Sequence, residues 1–481
     1  MNGRGFSRGA WGAASSAPTI AIIGGGFSGA VLAHQLARRA SGRFRIVVIE
    51  PRDRLGAGVA YSTADPAHRI NVPASRMSFV QSDPCHFDRW LKADGALKHD
   101  PEALTSDGRA FPRRAVFGRY AGETIEPYVL SGDVEHFCTR ATAVRRREGG
   151  YAVTLADGRT LDADYLALAA THPSPEPLPA FSDVLDDPRL IQDTQRRESL
   201  DGVAPDARVL IVGTGLTMAD IVASLDGRGH RGPIVAVSRR GLLPRGHAAP
   251  AGEYGAFTEP PSRTALAILR RVRRTVAAAA AEGRPWQHVL DAVRVQGRGI
   301  WANLPERERR TIVRRLRPFW DVHRFRIAPQ VENVIKRRLA DGSLRVVVGE
   351  PTSVRADEDA LRVEIRRRKA PLETLAFDAV ALATGPAHRS LVRTDPLIAG
   401  LAADGLVALD SVGLGLATDE RSRVLDAAGE THETFWVAGP LARGSFGELM
   451  GLPEVARHAE FVAGDLLKTV ADQEDETRAV A

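Results

Sequence analysis

Two glycine-rich turns hold the residues best suited to chemistry. The first follows the apolar run Thr19-Ile20-Ala21-Ile22-Ile23 and reads Gly24-Gly25-Gly26-Phe27-Ser28-Gly29. A Gly-x-Gly-x-x-Gly turn lets a pyrophosphate approach the backbone at a helix N-terminus, where N–H groups and the helix dipole favour an anion. The next apolar strand ends in Glu50, 21 residues after Gly29. A carboxylate at that distance can hold the two hydroxyls of a ribose. The second turn, Gly213-Thr214-Gly215-Leu216-Thr217-Met218, has Met218 in place of the third glycine, so its helix is expected to stand slightly further from its strand. The strand after it ends in Ser238-Arg239-Arg240 instead of an acid. A carboxylate there would repel a ribose 2′-phosphate, whereas guanidinium binds phosphate in a planar fork. The first turn thus predicts an adenosine without a ribose phosphate, and the second predicts NADPH. Two different dinucleotides in one chain imply electron transfer between them.

Each turn needs a strand before it and a helix after it, and the chain supplies both twice. After Glu50, residues 51–80 are loop-rich and contain Asn71-Val72 and Arg76. A helix is expected over 83–92, opened by Asp83-Pro84. Strand patterns crowd residues 135–170, with Asp157-Gly158 as a hairpin turn, and end in Thr171-His172-Pro173. The second unit occupies about 206–240, followed by a basic helical stretch over 261–327 with breaks at residues 283–285 and 297–299. Strands return at 343–348, 361–366 and 379–383, the last ending in Thr384-Gly385-Pro386. A final strand enters Gly439-Pro440, a glycine-rich segment covers 444–453, and a helix is expected over 453–467. The predicted fold class is α/β, with two Rossmann-like domains and the NADPH domain inserted in a discontinuous first domain. The expected partition is a leader at 1–17, the first domain over 18–204 and 376–470, the second over 205–375, and a frayed tail at 471–481.

Length and composition suit a large globular enzyme. The 481 residues suffice for two or three domains, each with its own core. No run approaches the 18 or more apolar residues that span a bilayer. The net charge of +6 raises a nucleic-acid reading, but only five of the 65 basic residues are Lys. Such an imbalance fits genome composition better than a phosphate-binding surface, and no nucleic-acid partner is expected. Cys85 and Cys138 are the only cysteines and form no Cys-x-x-Cys pair, which excludes a dithiol relay. Residues 1–18 lack a signal-peptide apolar region, and the expectation is a cytoplasmic protein without a metal site.

With these motifs the chain resembles the two-dinucleotide-binding-domain flavoproteins, which include flavin monooxygenases, ornithine and lysine N-hydroxylases and pyridine-nucleotide reductases. It is most similar to a bacterial branch of FAD/NAD(P)-binding proteins. Further matching segments are Asn71-Val72-Pro73-Ala74, Arg76-Met77-Ser78, Ser238-Arg239-Arg240-Gly241-Leu242-Leu243-Pro244 and Phe319-Trp320-Asp321-Val322-His323-Arg324-Phe325-Arg326. The resemblance covers about residues 18–470. It implies FAD on Gly24, Gly26, Phe27, Ser28, Gly29 and Glu50, with the flavin reaching Asn71, Val72 and Gly439. It implies NADPH on Gly213, Gly215, Leu216, Thr217, Ser238, Arg239 and Arg240. The segment 444–453 is a candidate for stabilising reduced flavin from a helix N-terminus. No catalytic motif is visible, because in flavoenzymes the cofactor carries the redox chemistry. Candidates around the reaction centre are Asn71, Arg76, His323 and Arg324, while His172 is expected to orient an interdomain turn. The competing reading of His323 and Arg324 is a basic helix face in solvent. The implied activity is an FAD-dependent, NADPH-linked oxidoreductase, a monooxygenase using O2 on a small amine or amino acid. The alternatives are an NADPH dehydrogenase reducing a quinone or small acceptor, and a flavin-bound sensor or scaffold. Homo-oligomerisation is left open.

Overall fold

The computed structural model describes residues 17–194, 197–250 and 252–480. The leader expected at 1–17 lies, save its last residue, outside them. Strand β1 (Thr19–Ile23), helix α1 (Phe27–Arg39) and β2 (Arg45–Ile49) form the first βαβ unit. Residues 20–23 are all buried, as a parallel strand covered on both faces requires. After a long excursion come β3 (Glu135–Phe137), β4 (Ala141–Arg147), β5 (Gly150–Leu155), β6 (Thr160–Ala163) and β7 (Tyr165–Leu168). Gly158, in the turn between β5 and β6, has the positive φ of +85° that such a turn asks of glycine.

The second unit repeats this plan. It has β8 (Leu190–Ile191), β9 (Val209–Val212), α2 (Leu216–Gly227) and β10 (Ile234–Ser238). The basic stretch then folds as helices, among them α3 (Trp286–Val295) and α4 (Arg317–Arg324). Next come β11 (Leu344–Val348), β12 (Glu350–Ala356), β13 (Leu361–Arg366), β14 (Glu373–Phe377) and β15 (Ala379–Leu382). The chain ends with β16 (Arg423–Leu425), β17 (Thr431–Val437) and the long helix α5 (Leu452–Val480).

The strands form a six-stranded sheet, β16-β17-β7-β1-β2-β3, and a five-stranded sheet, β11-β10-β9-β15-β8. Each unit also carries a three-stranded antiparallel sheet, β4-β5-β6 or β12-β13-β14. The last strand returns to the first sheet, where β17 lies parallel to β7 with Phe435 opposite Leu166. The fold is therefore α/β with two Rossmann-like sheets. Several boundaries differ from the sequence reading. Strands β8 and β15 belong to the second sheet, although the expected partition left their residues with the first. Two- and four-residue strands carry no domain signal, and the sheet edge they meet decides their membership. The helix expected from residue 83 begins at His86, because Asp83-Pro84 form the turn before it, with the His86 N–H donating to the Asp83 carbonyl. The expected frayed tail is instead the end of α5. Tyr165 donates to Gln473 at 2.7 Å, and Arg43 pairs with Glu474 at 3.0 Å.

The helical insertion has a small core of its own, including Phe257, Ile268, Val289, Ala292 and Leu304. Buried charges join it to α5. Arg294 of α3 donates to both oxygens of Glu454 at 2.8 Å. Arg324 of α4 donates to Glu448 at 2.9 Å and to Glu454 at 3.1 Å. Trp320 donates its indole N–H to Glu448 at 3.1 Å. All four charged side chains are less than a tenth exposed. Burial alone would push the Glu454 carboxyl up, but the guanidinium groups of Arg294 and Arg324 hold it below the ordinary glutamate value. A carboxyl depressed in the folded state stabilises fully above its ordinary pKa, and that stabilisation is lost as pH falls through the folded value. Glu454→Gln leaves two buried guanidinium groups short of a partner and should cost about 3–5 kcal/mol. Urea unfolding at neutral pH measures the loss. The variant should also lose less stability than the wild type as pH falls below the glutamate range; equal acid sensitivity would remove Glu454 from this role.

Candidate functional site

Both glycine turns share one backbone geometry. Gly24 (φ +100°) and Gly213 (φ +125°) occupy the region that favours glycine. A Cβ on Gly24 would lie 2.6 Å from the Ala169 carbonyl oxygen, and one on Gly213 would overlap the Ala383 carbonyl oxygen. The exits of β7 and β15 thus demand these two glycines. The middle glycines are different. Gly26 has φ −64°, and its Cβ would meet only the Gly58 Cα at 3.4 Å. Gly215 has φ −86°, and its Cβ would meet nothing within 4 Å. Neither backbone strain nor protein packing calls for glycine at these two places. A ligand lying against the backbone does. Gly26 and Gly215 are the N-caps of α1 and α2, and neither helix has a side-chain cap or an acid in its first turn. The first-turn N–H groups and the positive end of the dipole are thus left for an anion. Both cradles fit a pyrophosphate.

The third position separates the turns. A Cβ on Gly29 would overlap the Gly24 carbonyl, whereas its counterpart Met218 carries a fully buried side chain. At this position α2 therefore carries a buried side chain where α1 has room for none.

Glu50 lies at the end of β2, 4% exposed. It accepts from the Gly25 N–H at 2.9 Å and from Arg52 Nη1 at 2.8 Å. The acid faces the turn, and Arg52 shares it. Ser28 packs against Gly439, where a Cβ would overlap the Ser28 hydroxyl. The Gly439 N–H (φ of that residue +100°) donates to His458 Nδ1 at 3.0 Å. With Nδ1 accepting, the His458 proton is on Nε2, 3.2 Å from Ser422 Oγ, which itself donates to the Val437 carbonyl at 2.7 Å. Complete burial, with Arg298 adding, pushes the His458 pKa down to about 3, so the ring is neutral. Ser422 pays a backbone strain for this position, with φ +66° in a non-glycine residue. The sequence reading missed Arg52, Ser422 and His458. No local spacing marks the last two, since they meet only when the β16–β17 pair folds against α5.

At the second turn Leu216 and Thr217 open α2. Ser238 is already committed to shaping the loop: its hydroxyl lies 2.8 Å from Thr214 Oγ1 and accepts from the Gly241 N–H at 3.0 Å. Arg239 and Arg240 are exposed. The carboxylate near Arg239, Glu350, is engaged by Arg366. The Arg240 guanidinium lies 5.5 Å from the centroid of the Phe319 ring on α4.

The catalytic candidates separate into distinct surroundings. The Asn71 carbonyl accepts from His247 Nε2 at 3.0 Å, and burial, with Arg326 adding, pushes the His247 pKa down to about 4. Arg76 approaches Asp291 at 3.7 Å, and Arg326 holds Asp291 through two hydrogen bonds of 2.9 and 3.1 Å. Asn71 and Arg76 thus meet the loop after β10 and the insertion. His323 bonds the Phe319 carbonyl at 2.6 Å and lies edge-on to Trp286. Arg324 is neither a solvent-facing residue nor a free one, because Glu448 and Glu454 consume it. His172 Nδ1 lies 3.2 Å from His388 Nε2, so the exits of the two sheets touch. Burial pushes these rings down to about 4 and about 3 respectively. The glycines of 444–453 have protein reasons: a Cβ on Gly444 would overlap Asp410, one on Gly447 would lie 2.7 Å from Trp301, and one on Gly451 would overlap Arg324.

Residues 21–173 match the family model described as FAD-NAD(P)-binding. A polyamine oxidase 1 of Oryza sativa subsp. japonica is 28% identical over 127 residues, which is 24% of this chain and 23% of that protein. The chain thus matches less than a quarter of that relative's length. Two solved structures agree over nearly everything. The L-lysine 6-monooxygenase of Pseudomonas syringae is 20% identical with a TM-score of 0.64, covering 94% of this chain and 100% of its own. The ornithine N-hydroxylase of Kutzneria sp. 744, solved with reduced FAD, NADP+ and L-ornithine, is 15% identical with a TM-score of 0.62, covering 94% and 99%. At these identities the likeness is one of fold. The chain has the fold of the two-dinucleotide-binding-domain flavoproteins, with a FAD-NAD(P)-binding segment at its first glycine turn.

Proposed function

We propose that this protein is an FAD-dependent, NADPH-linked monooxygenase acting on a small amine or amino acid. One observation carries the reading: the middle glycines of both turns lack any reason within the protein, and the strand after each turn ends in a different charge. FAD is assigned to Gly24, Gly26, Phe27, Ser28, Gly29 and Glu50, extending to Asn71, Val72 and Gly439. NADPH is assigned to Gly213, Gly215, Leu216 and Thr217, with its 2′-phosphate on Arg239 and Arg240 beside Ser238. We assign the FAD unit as discontinuous and the NADPH unit to the span from β8 to β15, a reading that the strand membership of the two sheets supports. FAD held by these residues would supply the redox chemistry that links NADPH to oxygen. The chain's own part is to bind, orient and exclude water. The neutral His458 and strained Ser422 hold the Gly439 turn against Ser28. The touching exits at His172 and His388 keep the two nucleotide turns in fixed register. The named activities of the structural neighbours, on lysine and ornithine, support an amine or amino acid as the substrate class.

Three measurements test this. Purified protein should be yellow, and NADPH consumption in air should rise with one member of a panel of diamines and basic amino acids, giving a product heavier by one oxygen atom. NADPH oxidation that no amine stimulates, yet a quinone does, would point to a reductase instead. Gly26→Val should fold, since a Cβ there meets only the Gly58 Cα at 3.4 Å, but purify colourless; a normal flavin content would move FAD elsewhere. A charge-assisted hydrogen bond to phosphate contributes about 1.5–3 kcal/mol, so Arg239→Ala/Arg240→Ala should lower NADPH efficiency at least about tenfold. NADH, which has no phosphate to lose, should change little. Equal damage to both nucleotides would indicate a folding role.

A further inference from the structure

We infer that Phe319 is a specificity-determining residue for NADPH, positioning Arg240 for the ribose 2′-phosphate. The inference depends on reading the second glycine turn as the NADPH site. Phe319 is 47% exposed, so its ring is available to a neighbour outside the core. Its ring lies 5.5 Å from the Arg240 guanidinium, within cation–π distance. A free arginine side chain samples many rotamers, and ordering it at the moment of binding weakens affinity. Stacking over one face of the guanidinium limits that freedom and leaves its edge N–H groups available for a planar phosphate fork.

The platform is rigid because its helix is. Within α4, Trp320 donates to Glu448, Arg324 is clamped by Glu448 and Glu454, and Arg317 donates to Asp321 at 3.3 Å. Phe319 therefore stands on a helix anchored on its other side to the start of α5. Ser238 is consumed by Thr214 and the Gly241 N–H, which leaves the phosphate to the two arginines. Of these, Arg240 is the one that the insertion orders. The helical insertion thereby takes part in nucleotide choice as well as in packing.

The test uses the purified flavin-loaded protein and two probes, adenosine 2′,5′-bisphosphate and ADP, with binding followed by calorimetry. Phe319→Ala should weaken the bisphosphate about two- to fivefold, the size of one exposed cation–π contact, and leave ADP unchanged. Phe319→Tyr should restore wild-type binding. In an Arg240→Ala background, Phe319→Ala should have no further effect, because the two residues then act as one unit. Additive losses would overturn the proposal, and so would equal weakening of both probes, which would make Phe319 an adenine platform. If Arg240→Ala loses the preference for the bisphosphate while Phe319→Ala keeps it, the proposal fails and the NADPH site stands. If Arg239→Ala/Arg240→Ala shows no loss of preference, the NADPH site itself is misplaced.

Discussion

Backbone crowding at two strand exits governs much of this structure. The turn after β1 runs against the carbonyl of Ala169, just past β7, and the turn after β9 runs against the carbonyl of Ala383, just past β15. Only glycine at positive φ passes at such close range, so Gly24 and Gly213 are fixed by the neighbouring strand. The same two neighbours then carry the chain out of their sheets, through His172-Pro173 and Pro386 to His388. Because those histidines touch, the constraint that shapes each nucleotide turn also sets how one unit meets the other. Both rings are neutral near pH 7, which avoids adding charge to a buried junction that already holds Arg443.

Glycine content alone does not mark a ligand site here. Gly24, Gly29, Gly213, Gly439, Gly444, Gly447 and Gly451 each answer to a protein atom that a Cβ would strike. Gly26 and Gly215 do not. Their spare room lies at the uncapped starts of α1 and α2, where the dipole and the first-turn N–H groups also lack an internal partner. At these two places, unlike at other unhindered glycines such as Gly202 and Gly400, the spare room coincides with an uncapped helix start. In the glycine-rich segment before α5, which the sequence offered as a flavin contact, Gly444 packs against Asp410, and Gly447 and Gly451 pack against Trp301 and Arg324 of the insertion.

The insertion is a structural partner of the last helix through charges that water does not reach. Replacing such buried pairs by apolar residues is often neutral, yet removing one partner is costly. What the charges add is direction: the bidentate Arg294–Glu454 pair orients α3 on α5, and Arg324 ties α4 to both Glu448 and Glu454, in a way that apolar contacts would not. This orientation is what aims Phe319 at the end of β10.

The sequence by itself determined the two βαβ units, and it supplied the charges from which we assign each turn its ligand. Those features are local: a strand, a turn and a helix span residues 19–39 in one unit and 209–227 in the other, and the selecting charge stands at the next strand end. Tertiary structure alone decided the rest. Arg324 looked like part of a solvated basic face because its partners, Glu448 and Glu454, lie more than a hundred residues away. Strands β8 and β15 were too short to show which sheet they would join. Residues 471–480, polar and acidic, read as a tail until the far end of α5 met Tyr165 and Arg43. His458 and Ser422, which shape the Gly439 turn, lie on separate elements with no shared motif. Periodicity and spacing report what a segment does to its neighbours in sequence; the burial of a charge depends on what arrives from elsewhere in the chain.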